Sequence, residues 1–83
     1  MAETDILNRV QEILRDVLQQ PSLIITRESS AKTVTGWDSL AHVDILWNVE
    51  HDFSVRFALG EVQDLKNIGD MVDLLERKIA KKH

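Results

Sequence analysis

A serine, two histidines and several carboxylates lie close together in the middle of the chain. Ser39 directly follows Asp38, and His42 and His51 come three and twelve residues after Ser39. A serine hydroxyl can act as a nucleophile beside a histidine base and an orienting acid, or it can be modified covalently. Histidine and carboxylate side chains can also hold a metal ion. The residue types alone therefore allow three kinds of chemistry.

Catalysis and metal binding are the weaker interpretations, because the spacing does not assemble either kind of site. The letters WDSL at 37–40 superficially resemble the G-D-S-L esterases, which place their serine after a strand in a much longer α/β chain. On a helix that rises 1.5 Å per residue, His51 lies about 18 Å along the axis from Ser39. His42 is closer, but no oxyanion site or orienting acid is evident. Asp38 and His42 could touch, but two ligands do not make a metal site. We therefore predict neither enzyme activity nor a metal site.

Ser39 lies where a covalently attached anion would be stabilised. Asp38 is a good N-cap residue, so we predict a helix over 38–53 with Ser39 in its first turn. Unpaired backbone N–H groups and the positive end of the helix dipole favour a phosphate ester there. Gly36 leaves the preceding backbone free to turn. The alternative is that Ser39 is an ordinary first-turn residue after an Asp cap.

The helix over 38–53 carries more apolar residues than one buried face needs. On a wheel of about 100° per residue, one face is expected to join the core, with His42 on the same side. That face consists of Ile45, Leu46, Val49 and Phe53. His42 is either a packed helix residue or a residue that lines the entrance to an internal site.

The second apolar face of this helix consists of Leu40, Val43 and Trp47, and it is flanked by acids. Asp44 and Glu50 lie on either side of it. Either a short helix and a long loop cover this face, or it is a docking strip with an acidic rim. Trp47 favours docking, because Trp is enriched at binding hot spots.

The N-terminal part of the chain is predicted to form one helix and a long connection. Thr4 is the expected N-cap of a helix over 4–18, and residues 19–37 follow as a loop. The apolar stripe of the helix consists of Ile6, Leu7, Val10, Ile13, Leu14, Val17 and Leu18. Three apolar residues are expected to pin the loop onto the core: Leu23, Ile24 and Ile25.

The C-terminal part is predicted to contain a short helix and a last long helix. One or two helical turns are expected within 59–65, after an irregular stretch at 54–57. Asn67 is the expected cap of the last helix, and Asp70 makes a weaker version of a capping box. No segment shows sustained strand alternation. We therefore predict an all-α bundle of three main helices and one short helix, with a long first loop, as a single domain over 1–83.

Composition narrows the class of partner. The 83 residues contain no Cys and have a net charge of −4. From 38 to 64 there are six acids and one base, a local charge of −5. This disfavours nucleic acid and favours a partner with a basic patch, although solubility alone is the alternative explanation. The apolar runs are far too short to insert into a membrane, and no signal peptide is evident, so we expect a monomeric, cytoplasmic protein.

Residues 36–57, GWDSLAHVDILWNVEHDFSVRF, resemble the acyl carrier protein family, whose hallmark is D-S-L at the start of the second helix. The resemblance implies that Ser39, beside the motif acid Asp38, carries 4′-phosphopantetheine from coenzyme A through a phosphodiester. The thiol of that arm would hold acyl groups as thioesters. The partners implied are a phosphopantetheinyl transferase and acyl-loading and acyl-transferring enzymes with basic docking patches. Residues matching the family's partner contacts are Leu40, Val43, Trp47, Asp44 and, with a looser match, Glu50.

The sequence also departs from the fatty-acid-synthesis members of that family. Ala41 stands where an acid usually follows D-S-L, and Arg56 stands where an acid is frequent. Val34 and Thr35 replace an acid and a Leu before the glycine. These departures indicate a free-standing carrier of a specialised lipid, polyketide or related pathway. A peptidyl or D-alanyl carrier, or an unmodified helical interaction domain, are the alternatives.

Overall fold

Four helices form the regular structure of the chain, of which a computed structural model describes residues 3–82. In chain order they are α1 (Glu3–Val17), α2 (Ser39–Phe53), α3 (Leu59–Gln63) and α4 (Ile68–Lys82). No strand occurs among the described residues. The prediction of an all-α bundle with three main helices, one short helix and a long first loop is therefore confirmed.

The apolar stripes of the long helices meet in one core. Helix α1 packs against both α2 and α4. The predicted core face of α2 is buried as expected, and burying each of these side chains contributes about 1.5–3 kcal/mol. The fully buried side chains are Ile6, Val10, Leu14, Ile45, Val49, Ile68, Met71, Val72 and Leu75. Because the core face of α2 is fixed by this packing, the opposite side of the helix turns towards solvent.

Two predicted helix caps are present. The Asp38 Oδ1 accepts the Ala41 backbone N–H at 2.8 Å, and the Asn67 Oδ1 accepts that of Asp70 at 2.9 Å. The Asp70 carboxylate accepts the Lys66 N–H at 3.1 Å, one residue before the cap, instead of completing a capping box with Asn67. Helices α2 and α4 therefore begin where their capping residues predict.

Two expectations for the N-terminal part were wrong. Helix α1 begins at Glu3, so Thr4 lies inside the helix and is not its N-cap. Of the three loop residues expected to pin the connection, Ile25 is buried and Leu23 packs against the core, but Ile24 is 76% exposed. Neighbouring side chains of an extended chain point in different directions, which explains why Ile24 does not share the environment of Ile25.

The long loop completes the start of α4. The backbone N–H groups of Ile68 and Gly69 donate to the carbonyls of Ser29 and Arg27, each at 2.8 Å. The first N–H groups of a helix have no intrahelical partner, so these loop carbonyls satisfy two of them. The loop is thus fixed at its middle before it leads to Ser39.

Candidate functional site

A rigid turn presents the hydroxyl of Ser39 to solvent. Ser39 is the first residue of α2 and is exposed. Before it, Asp38 is extended with φ −100° and directs its carboxylate onto the first turn of the helix, while Trp37 is buried. Gly36 has a φ of +87°, a conformation that a residue with a Cβ adopts only with strain. The buried Trp37 and the cap at Asp38 therefore hold the backbone between the turn at Gly36 and Ser39.

His42 is held by a tryptophan and not by an acid. The Trp37 indole Nε1–H donates to His42 Nδ1 at 3.1 Å, and the two rings stack with centroids 5.9 Å apart. Asp38 bonds the helix backbone instead, and the carboxylate of Asp44, two residues after His42, has no hydrogen bond to any described residue. The arrangement lacks the orienting carboxylate that a serine triad needs. A buried indole requires a partner for its N–H, and this requirement was the signal in the sequence that could have linked Trp37 to His42.

The second apolar face of α2 is open to solvent. Leu40, Val43 and Trp47 are 78%, 63% and 63% exposed. The alternative that α3 and the long loop cover this face is therefore wrong. Trp47 stacks on His51 one turn later, with ring centroids 5.4 Å apart and nearly parallel planes at 4°. This contact fixes the exposed indole against the helix surface.

The acids around this face differ in their surroundings. Asp44 is exposed, and its side chain has no ion pair or hydrogen bond to any residue within 3–82. Glu50 is half-buried, and its Oε2 accepts the Phe57 backbone N–H at 3.0 Å. The structure therefore leaves Asp44 available to a partner and gives Glu50 an internal contact.

Two further acids between residues 38 and 64 form ion pairs. Asp52 bonds Arg9 of α1 through both carboxylate oxygens, and the hydrogen bond from Arg9 lowers the pKa of Asp52. Glu61 pairs with Lys78 of α4 at 2.8 Å, and the hydrogen bond from Lys78 lowers the pKa of Glu61. These carboxylates join helices to one another and are not free surface charges.

The described residues contain neither a metal cluster nor a helix that could span a membrane. Within 3–82, no three His, Asp or Glu side chains come together in a way that could hold a metal ion. None of the helices over the same range combines the length and hydropathy needed to cross a bilayer. Ser39 is exposed at the start of α2, so an enzyme can approach it from solvent.

Known proteins resemble this chain over nearly its whole length. A protein-family model described as "Phosphopantetheine attachment site" matches residues 8–75. An acyl carrier protein of Coprothermobacter proteolyticus is 30% identical, over 99% of this chain and all of its own. One from Acidothermus cellulolyticus is 32% identical, over 90% of this chain and 89% of its own.

A solved structure supports the same comparison. The solution NMR structure of a holo acyl carrier protein from Geobacter metallireducens has 42% sequence identity to this chain and a TM-score of 0.86. The match covers 93% of this chain and 88% of that one. The likeness therefore extends to the whole helix arrangement.

Proposed function

Because this chain belongs to the acyl carrier protein family, we propose that Ser39 is the residue to which its 4′-phosphopantetheine group is attached. Proteins of this family are carriers and not enzymes, and the covalently bound arm supplies the thiol on which acyl groups travel as thioesters. Ser39 lies inside the matched residues 8–75. The observation that carries the proposal is the exposure of Ser39 as the first residue of α2, directly after the capping acid Asp38.

Attachment requires only the hydroxyl oxygen of Ser39 from this chain. That oxygen forms a bond to the phosphorus next to the pantetheine in coenzyme A, the pyrophosphate bond breaks, and adenosine 3′,5′-bisphosphate leaves. The proton of the hydroxyl goes to a base of the transferase. On this chain, His42 Nδ1 already accepts the Trp37 N–H, and Asp38 Oδ1 accepts the Ala41 N–H. The phosphodiester that results is an anion at the start of a helix, where the helix dipole stabilises it.

Acyl carrier proteins interact with biosynthetic enzymes and with a phosphopantetheinyl transferase. For this chain we propose docking through Leu40, Val43 and Trp47, with Asp44 and Glu50 as acidic contacts to basic patches on acyl-loading and acyl-transferring enzymes. The exposure of the three apolar side chains supports this assignment. Trp47 also supports it, because Trp is enriched at binding hot spots, and the exposed Asp44 lies only three residues before it.

The pathway proposed is a specialised lipid, polyketide or related one. Ala41 and Arg56 support it, since both replace acids that fatty-acid carriers commonly have. Location in the cytoplasm and a single carrier domain over 1–83 stay predictions.

The assignment of Ser39 is tested by loading the protein in vitro. The purified chain is incubated with coenzyme A and a promiscuous phosphopantetheinyl transferase, and its intact mass is measured. We expect a gain of about 340 Da, the mass of the arm, and no gain for Ser39→Ala.

Ser22→Ala is the matched control, because Ser22 is an exposed serine on a loop without the helix start. The control should load like the wild type. A gain of the same mass by Ser39→Ala, or none by the wild type, contradicts the assignment.

A further inference from the structure

Most of the acids from 38 to 64, the segment that contains the docking face of Leu40, Val43 and Trp47, have a partner within the molecule. Of these six acids, four have internal partners: Asp38 with the Ala41 N–H, Glu50 with the Phe57 N–H, Asp52 with Arg9, and Glu61 with Lys78. Among the described residues, the carboxylates of Asp44 and Asp64 have neither a hydrogen bond nor an ion pair. Two of the six negative charges, those of Asp52 and Glu61, are therefore balanced by bases within the molecule, whereas Asp38 and Glu50 keep their charge.

The C-terminal end of the same face carries a base. Arg56 lies three residues beyond α2, is exposed, and lines a shallow depression together with Trp47 and His51. Within 3–82, the Arg56 guanidinium has no carboxylate partner. Glu50 also lines the depression, but one of its oxygens is bonded to the Phe57 backbone. A cation without an ion pair thus lines the same depression as the exposed indole, together with the half-buried Glu50.

The two charges lie on different sides of Trp47 along the chain. Asp44 precedes Trp47 by three residues within α2, whereas Arg56 follows the end of the helix and lines the depression beside Trp47. Both are exposed, and neither has an ion-pair partner among the described residues. An enzyme patch that is basic throughout would place like charge against Arg56, which opposes association.

We propose that this docking face fits a partner of mixed charge, with a basic group opposite Asp44 and an acidic side chain opposite Arg56, on either side of an apolar contact to Trp47. The proposal rests on the proposed function, because it concerns the enzymes that act on the arm at Ser39. It adds a basis for selectivity. Enzymes whose docking patches carry only positive charge bind this carrier poorly, whereas the carrier's own enzymes have an acidic side chain that meets Arg56.

The test uses the full chain loaded with the arm, and loading is checked by mass first. An arm carrying a thiol-directed crosslinker captures an acyl-transferring enzyme from extracts of the native host. That enzyme is identified and purified, and its Kd for uncrosslinked holo variants is measured at low and high salt. Because Arg56 is exposed, Arg56→Glu should fold normally, which far-UV circular dichroism checks.

We expect Arg56→Glu to weaken binding about tenfold at low salt, with a smaller effect at high salt. Lys32→Glu is the matched control, since it makes the same change in charge on the exposed first loop, and it should change the Kd less than about twofold. Reversing the charge of one acid on the partner should restore binding to Arg56→Glu.

The outcomes separate the two proposals. Failure of the wild type to load contradicts the assignment of Ser39. Normal loading followed by unchanged or tighter binding of Arg56→Glu leaves that assignment intact and overturns the mixed-charge partner. Normal loading with no enzyme captured also counts against the docking proposal.

Discussion

At the residue scale, the pairing of Trp37 with His42 links the backbone just before Ser39 to the first turn of α2. The buried indole donates to His42 Nδ1 at 3.1 Å while its ring stacks on the imidazole. An imidazole that accepts at Nδ1 carries its proton on Nε2 when it is neutral. The contact therefore determines both the position and the tautomer of the histidine nearest to Ser39.

Replacing Trp37 with Phe removes the hydrogen bond and keeps most of the buried ring. We expect the free energy of unfolding to fall by about 1 kcal/mol, the usual contribution of such a bond. In ¹⁵N NMR of the imidazole, neutral His42 should change from the Nε2–H tautomer to a mixture.

His51 is the internal control of this experiment, because it stacks on Trp47 and does not contact Trp37. Its imidazole signals should be unchanged in Trp37→Phe. A His42 that is already a mixture of tautomers in the wild type would contradict the pairing.

At the scale of elements, α2 has two roles because it has two apolar faces. Ile45, Val49 and their neighbours bind the helix to the core, and the exposed face leaves an indole and an acid at the surface. Helix α3 is attached differently, since none of its five residues is buried. Its Glu61 pairs with Lys78, and Lys78 also lies 5.9 Å from the centre of the Phe57 ring.

The contact between the long loop and α4 explains why a glycine stands near the start of that helix. A Cβ on Gly69 would lie 3.1 Å from the Arg27 carbonyl oxygen, whereas a Cβ on Gly60 of α3 would meet nothing within 4 Å. Alanine favours a helix over glycine by about 1 kcal/mol. We expect Gly69→Ala to lower the free energy of unfolding by about 1–3 kcal/mol, because the loop backbone must shift.

Gly60→Ala is the matched control, since it makes the same exchange in a helix with open space around it. Urea unfolding should show it to be as stable as the wild type or slightly more stable. Equal effects of the two substitutions would show that the loop does not press on α4.

The local features of these elements were predictable, and the contacts between distant residues were not. Asp38 and Asn67 cap the helices that follow them, and the core face of α2 follows from its periodicity alone. The pairing of Arg9 with Asp52 joins residues 43 positions apart, and no local pattern indicates it. The pairing of Glu61 with Lys78 is also between separate helices, so the sequence overestimated the unpaired negative charge of residues 38–64. The bond from the Phe57 N–H to Glu50 spans only seven residues, but it depends on the path of the irregular stretch after α2, which the sequence pattern did not indicate.

At the scale of the whole molecule, three ion pairs among the described residues connect segments that are distant in sequence. Arg9 of α1 bonds Asp52 at the end of α2, Arg27 of the loop bonds Asp73 of α4, and Lys78 of α4 bonds Glu61 of α3. Each pair is partly exposed, so each contributes only modestly to stability. Together they hold the surface of a small bundle whose core is limited by its size.

The ion pair between Arg9 and Asp52 should make the free energy of unfolding depend on pH. The hydrogen bond from Arg9 lowers the pKa of Asp52 from its ordinary value of 3.8, so the folded protein binds this proton less readily than the unfolded chain. The stabilisation is complete above about pH 4 and is lost as the pH falls through the lower, folded value. We expect Asp52→Asn to be less stable than the wild type by about 1 kcal/mol or less at pH 7, and we expect this difference to shrink as the pH falls towards 2.

Urea titrations at several pH values measure this difference. Asp64→Asn is the control, because Asp64 is exposed and has no ion pair within the described residues. It should follow the wild type across the whole range. A difference between Asp52→Asn and the wild type that persists undiminished at pH 2 would rule out the ion pair as its cause.

The central claim is that one hydroxyl, at the start of α2, carries the acyl-bearing arm in the cell. Intact mass and peptide fragmentation of the protein isolated from its native cells test this most directly, because they weigh the arm with its cargo and locate both. We predict an added mass of about 340 Da or more, cargo included, on the peptide that contains Ser39. A chain found only at its unmodified mass, or an arm on any other residue, would contradict the account.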